Sequence, residues 1–170
     1  ECKRHWEKLG ETVSFNELDE ACDKAAPFSA VIDVDDATFF EPNNMPIKIQ
    51  DYCRRTNQKV PETKGEILRL VMEGLALKYR EAIEGLEKIV GYKIPALHIV
   101  GGGCKNKVLS QFTANAINRP VYAGPIEATA VGNLVTQLIA MGEIKDLAEA
   151  REVVRNSFPI EEYVPADVEA

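Results

Sequence analysis

The residues best suited to chemistry run Leu97-His98-Ile99-Val100-Gly101-Gly102-Gly103-Cys104-Lys105-Asn106, an apolar strand entering three glycines with a helix beginning behind them. Glycine lets a backbone turn sharply and come close to a ligand, and the N–H groups at a helix start favour an anion or a polar ring. A nucleotide suits that chemistry. Strand-to-helix turns also use glycine for geometry alone, and spacing by itself leaves both readings open. A P-loop requires GxxxxGK followed by Ser or Thr, which is absent, and a dinucleotide fingerprint places a third spaced glycine where Asn106 stands. The next apolar stretch ends in Ala123, Gly124 and Pro125, with no acid placed to hold a ribose as in an NAD site. An adenine nucleotide held in another manner is the remaining reading.

Other reactive side chains have plainer explanations. Asp33, Asp35 and Asp36 lack the glycine turn and distal glutamate of an EF-hand loop, so a solvated turn is expected there and no metal site. Strand alternation places His98 on the opposite face from Leu97 and Ile99, where a structural role is expected. His5 stands beside Trp6 with nothing nearby to complete a nucleophile and its base. Cys104 follows the glycines at a helix start, a position that favours thiolate. Glu127 and Thr129 open the next helix, where an acid complements the dipole or lines a cleft wall.

The string LHIVGGGCKNKVLSQFTANAINRPVYAGPIEATAVGN, Leu97 to Asn133, resembles the C-terminal domain of the rhamnulokinases, FGGY sugar kinases of the actin-like ATPase superfamily. FFEPNNMPIKIQDYCRRTNQKVPET, Phe39 to Thr63, is similar to an insert of the same kinases, so the resemblance covers most of the chain. It implies an α/β fold, the partial C-terminal domain of a ribonuclease H-like ATPase, and a nucleotide site at Gly101, Gly102, Gly103 and Asn106. The implied contacts are the Gly102 backbone with ribose or phosphate, and the Asn106 amide, as donor and acceptor, with adenine. ATP with Mg2+ and L-rhamnulose are the implied substrates, and the implied product is L-rhamnulose 1-phosphate. Xylulose and fuculose kinases share the glycine turn, and a nucleotide-binding module without chemistry is the alternative from another class. The family's catalytic Asp, phosphate turns and sugar-binding domain are expected upstream of Glu1. By itself the chain is expected to be inactive and to self-associate through an uncovered sheet edge or apolar face.

Several elements must position the turn. Glu1 to Leu9 reads as a helix stopped by Gly10, and the chain's start, without Met and within a helix, resembles a cut. Ser14 and Glu17 form a capping box for a short helix, Ser29 to Val34 alternates like a strand, and Pro46 suits an early helix position. From about Pro61 to Gly91 the apolar residues, among them Ile67, Leu70, Ile83, Leu86 and Val90, predict one long, largely buried helix. Thereafter strand (96–100), tight turn (101–103), helix (107–117), strand (120–123) and helices (127–141 and 146–154) predict a parallel pair joined by a right-handed crossover. The tail from Pro159 reads as extended or loose.

Bulk composition narrows the setting. A length of 170 residues with 45% hydrophobic content predicts one compact unit, and the resemblance makes 1–170 the C-terminal nucleotide-binding domain of an FGGY sugar kinase, truncated at its N-terminal side. The net charge of -7 argues against nucleic acid. No apolar run reaches the roughly 20 residues of a membrane span, and Cys2, Cys22, Cys53 and Cys104 are too scattered for a zinc site or a disulfide scaffold. A reducing cytoplasm is the expected location.

Overall fold

The computed structural model describes residues 1–166. The chain divides into two compact units, Glu1–Leu86 and Glu87–Ala170, where length and composition alone predict one.

The first unit is helical. Helix α1 (Cys2–Lys8) packs on α3 (Met45–Arg55), and α2 (Phe15–Lys24) starts at the predicted capping box, where Ser14 Oγ accepts the Glu17 N–H at 3.2 Å and Glu17 accepts the Ser14 N–H at 2.7 Å. Helix α4 (Lys64–Val90) has a second box in Thr63 and Glu66, a Thr-x-x-Glu spacing that marks its start in the sequence. Trp6, Leu18, Ile32, Ile49, Cys53 and Leu70 meet in the core. Two α4 glycines permit that packing: a Cβ at Gly65 would stand 2.2 Å from the Ala21 carbonyl oxygen, and one at Gly74 would stand 2.9 Å from that of Ile32.

Ser29 to Val34 is not a strand. Its ladder groups are taken by side chains: Gln58 Oε1 accepts the Val31 N–H at 2.7 Å, Gln58 Nε2 donates to the Val31 carbonyl at 2.8 Å, and the Tyr52 hydroxyl accepts from Asp33 N–H at 3.2 Å. With no backbone alongside, the alternation describes an extended segment lying on helices, with Ala30 and Ile32 buried and Val31 exposed. Burial of α4 also differs from the expectation. Up to Tyr79 its residues are buried or half-buried, whereas Leu86 and Val90, expected in the core, are exposed.

In the second unit β1 (Leu97–Ile99) and β2 (Val121–Ala123) are parallel, with Leu97 opposite Val121, and α5 (Lys107–Ile117) connects them. This matches the predicted strand, turn, helix and strand. A third strand, β3 (Glu161–Tyr163), pairs antiparallel with β2 in the tail that reads as extended or loose, giving the order β1-β2-β3. Helix α5 packs on β2 and β3, and α6 (Ala128–Met141) packs on α7 (Leu147–Ser157) around Val135, Ile144 and Ala150. No helix among the described residues is long and apolar enough to cross a membrane.

Candidate functional site

The start of β1 is set from below by a buried carboxylate. Glu87, near the end of α4, accepts the Ile94 N–H at 2.8 Å, the Lys93 ammonium at 2.8 Å and Arg119 Nη1 at 2.5 Å, while the same Arg119 nitrogen donates to the Ile94 carbonyl at 2.8 Å. These bonds tie the segments that enter β1 and β2 to one helix. The hydrogen bonds from Lys93 and Arg119 hold the Glu87 carboxyl at about 2, against an ordinary 4.5.

At the upper ends of the strands the backbones stay zipped. Gly124 N–H donates to the Ile99 carbonyl at 2.8 Å, and Gly101 N–H donates to the Pro125 carbonyl at 3.1 Å. Pro125 thereby pins the first glycine, a role with no motif of its own beyond the Gly-Pro pair that ends a strand.

Gly101, Gly102 and Gly103 lie together in a single 3-10 turn, Gly101–Lys105, and Asn106 joins it to α5. The glycines do different work. Gly101 has φ +79, a conformation that excludes most L side chains. Gly102 is exposed, has no such constraint, and a Cβ placed on it would meet nothing within 4 Å. Gly103 would make only ordinary contact with Ile99 at 3.8 Å. The open flank of the turn is therefore at Gly102.

Asn106 also has a structural duty. Its Oδ1 accepts the Leu109 N–H at 2.9 Å and caps α5, so the acceptor half of its amide is engaged inside the chain. Cys104 is buried, with its thiol donating to the Gly101 carbonyl at 2.9 Å. The other candidates fall into structural roles. His98 is exposed with its ring 5.1 Å from that of Tyr122, on the face opposite buried Ile99 as alternation predicts. Asp33 Oδ1 accepts the Asp35 N–H, Asp36 caps Thr38 and pairs with Arg55, and Asp35 pairs with Lys78. His5 lies in α1, and Glu127 and Thr129 are exposed at the start of α6.

Known proteins resemble the chain along nearly its whole length. The chain is 47% identical over 163 residues to the rhamnulokinase of Bacillus subtilis, covering 96% of this chain and 34% of that protein. It is 44% identical over 169 residues to the rhamnulokinase of Bacteroides thetaiotaomicron, covering 99% and 34%. The chain thus spans about a third of the length of the curated relatives it matches. Among solved structures, a glycerol kinase of Plasmodium falciparum crystallised with ADP superposes with a TM-score of 0.63 at 20% identity, over 93% of this chain and 31% of that one. A xylulose kinase from Rhodospirillum rubrum gives 0.62 at 18% identity, over 99% and 33%. These two share the fold, the actin-like ATPase fold of the FGGY kinases. Residues 1–141 match the C-terminal domain profile of the FGGY family of carbohydrate kinases, and the chain belongs to that family.

Proposed function

We propose that the chain is the ATP-side part of a rhamnulokinase, which transfers a phosphoryl group from ATP to L-rhamnulose and forms L-rhamnulose 1-phosphate. In this reading 1–170 is one C-terminal nucleotide-binding domain, working in the cytoplasm with the sugar-binding domain of the same kinase. The observation that carries it is the 44 to 47% identity to two rhamnulokinases over 96 to 99% of the chain, together with the open flank at Gly102.

ATP supplies the group transferred, and Mg2+ accompanies its phosphates. Gly101 shapes the turn, Gly102 and Gly103 present backbone without side chains to the adenosine, and Asn106 holds the turn to α5 while facing adenine with its amide. Phosphoryl transfer also requires a carboxylate to accept the hydroxyl proton. None of the candidate residues takes that role, and the 170-residue chain alone is expected to show no sugar-dependent ADP release and to self-associate in light scattering.

Two substitutions test the nucleotide site. A Cβ at Gly102 meets nothing within 4 Å, so Gly102→Val is expected to keep the fold while ADP affinity, read by titration calorimetry, falls about tenfold or more. Asn106→Ser keeps a capping oxygen for Leu109 N–H and removes the amide, so affinity for ADP falls while the fold holds. Native affinity in both variants would leave the turn a purely structural device. In the full-length kinase the same changes raise KM for ATP and spare KM for L-rhamnulose.

A further inference from the structure

A cavity of about 700 Å³ lies within the second unit, between the His98 face of the sheet and helices α6 and α7. That volume is within the range of small-molecule sites, roughly 300–1,000 Å³. Gly101, Gly102, Gly103 and Asn106 do not line it, although Val100 and Pro125, which border the turn, do. Val100, Val135, Ile139 and Val154 make its wall largely apolar, and Arg151 and Arg155 stand on one side.

Those two arginines differ from the rest. Of the eight in the chain, Arg4, Arg54, Arg55, Arg69, Arg80 and Arg119 each lie within 3.0 Å of a carboxylate oxygen. Arg151 and Arg155 have no carboxylate partner among the described residues, in a protein with seven more acidic than basic groups. They also stand four apart on one helix, where like charges repel. A bound anion would relieve that repulsion.

Gly132 points to the same space. It lies inside α6, where glycine weakens a helix relative to alanine, and no close packing requires it, since a Cβ there would meet nothing within 4 Å. Gly132 is among the residues that line the cavity, and it adds no side chain to it.

We propose that the cavity binds an amphipathic organic carboxylate, with an aliphatic body against Val135, Ile139 and Val154 and its carboxylate held by Arg151 and Arg155. Guanidinium and carboxylate match as planar partners with paired hydrogen bonds, which favours a carboxylic acid over an uncharged ligand of the same shape.

Calorimetric titration of the 170-residue chain with octanoate tests this. One saturable site is expected, weakened about tenfold or more in R151Q/R155Q and for octanol, which has the chain without the charge. G132L fills the cavity from a strong helix former and is expected to abolish the site while the circular dichroism melt is retained. No saturable heat with the native chain, or octanoate affinity unchanged in either folded variant, overturns the proposal. Equal affinity for octanol and octanoate overturns it too, because the arginines would then be bystanders. Should G132L fail to fold, the R151Q/R155Q comparison decides, since those side chains are exposed and have no carboxylate partner among the described residues.

Discussion

Glu73 and Glu87 are buried carboxylates on the same helix, one in each unit, and both catch the backbone of a segment that is not helical. Glu73 accepts the Phe28 N–H at 3.1 and 3.2 Å and pairs with Arg69 at 2.7 Å; Glu87 accepts the Ile94 N–H and pairs with Arg119 and Lys93. The two clamped segments then meet different neighbours. Beyond Ile94 the chain enters β1 and finds the parallel backbone of β2 beside it. Beyond Phe28 it finds helices, and Gln58 and Tyr52 supply with side chains what a neighbouring strand would supply with its main chain. Alternating apolar residues thus predict an extended segment with one buried face, and only the identity of its neighbour makes that segment a strand.

Removing the first clamp should have the largest effect. Glu73→Ala leaves the half-buried Arg69 and the Phe28 N–H without their shared acceptor, and the loss expected on breaking a buried pair is about 3 to 5 kcal/mol, read from urea unfolding. Phe28 has φ +47, a strained value for a bulky residue, so this segment should loosen first. Stability within about 0.5 kcal/mol of native would show that Glu73 is dispensable to the segment.

The second clamp should show in its pH dependence. The Glu87 carboxyl is at about 2 in the folded chain and at 4.5 ordinarily, so its contribution is complete above pH 4.5 and fades as pH falls from there towards 2. Glu87→Gln removes that contribution, and the melting temperature of the native chain should then fall more steeply across this window than that of the variant. Parallel slopes would assign the acid sensitivity to other carboxylates, Glu66 foremost, which hydrogen bonds from Glu62, Thr63 and Lys59 also hold at about 2.

A smaller loss, about 1 kcal/mol, is expected for Gln58→Ala, because the exposed Val31 backbone regains water in place of the amide. Amide exchange at Val31 should quicken in this variant while exchange at Ala123 stays slow. Unaltered protection at Val31 would mean that another group satisfies the segment.

Local signals proved legible wherever the information lies within a few residues. The capping box at Ser14, the span of α5 from Lys107 to Ile117, and the strand, glycine turn, helix and strand around it all come from propensity and short-range hydrogen bonds. The family, too, is readable in the string from Leu97 to Asn133, which lies within the residues that match its profile. Tertiary structure decided the rest. Glu161 to Tyr163 carry no strand pattern and become β3 because the edge of β2 lies beside them, whereas Ser29 to Val34 carry the pattern and remain unpaired. Which glycine must be glycine was also hidden: three identical letters separate into a strained Gly101, an open Gly102 and an ordinary Gly103 only when the neighbours of each absent Cβ are known. Asn106 shows the same limit, since the amide that sequence resemblance directs towards a ligand also caps α5, and a side chain's partners depend on distances that residue order does not contain.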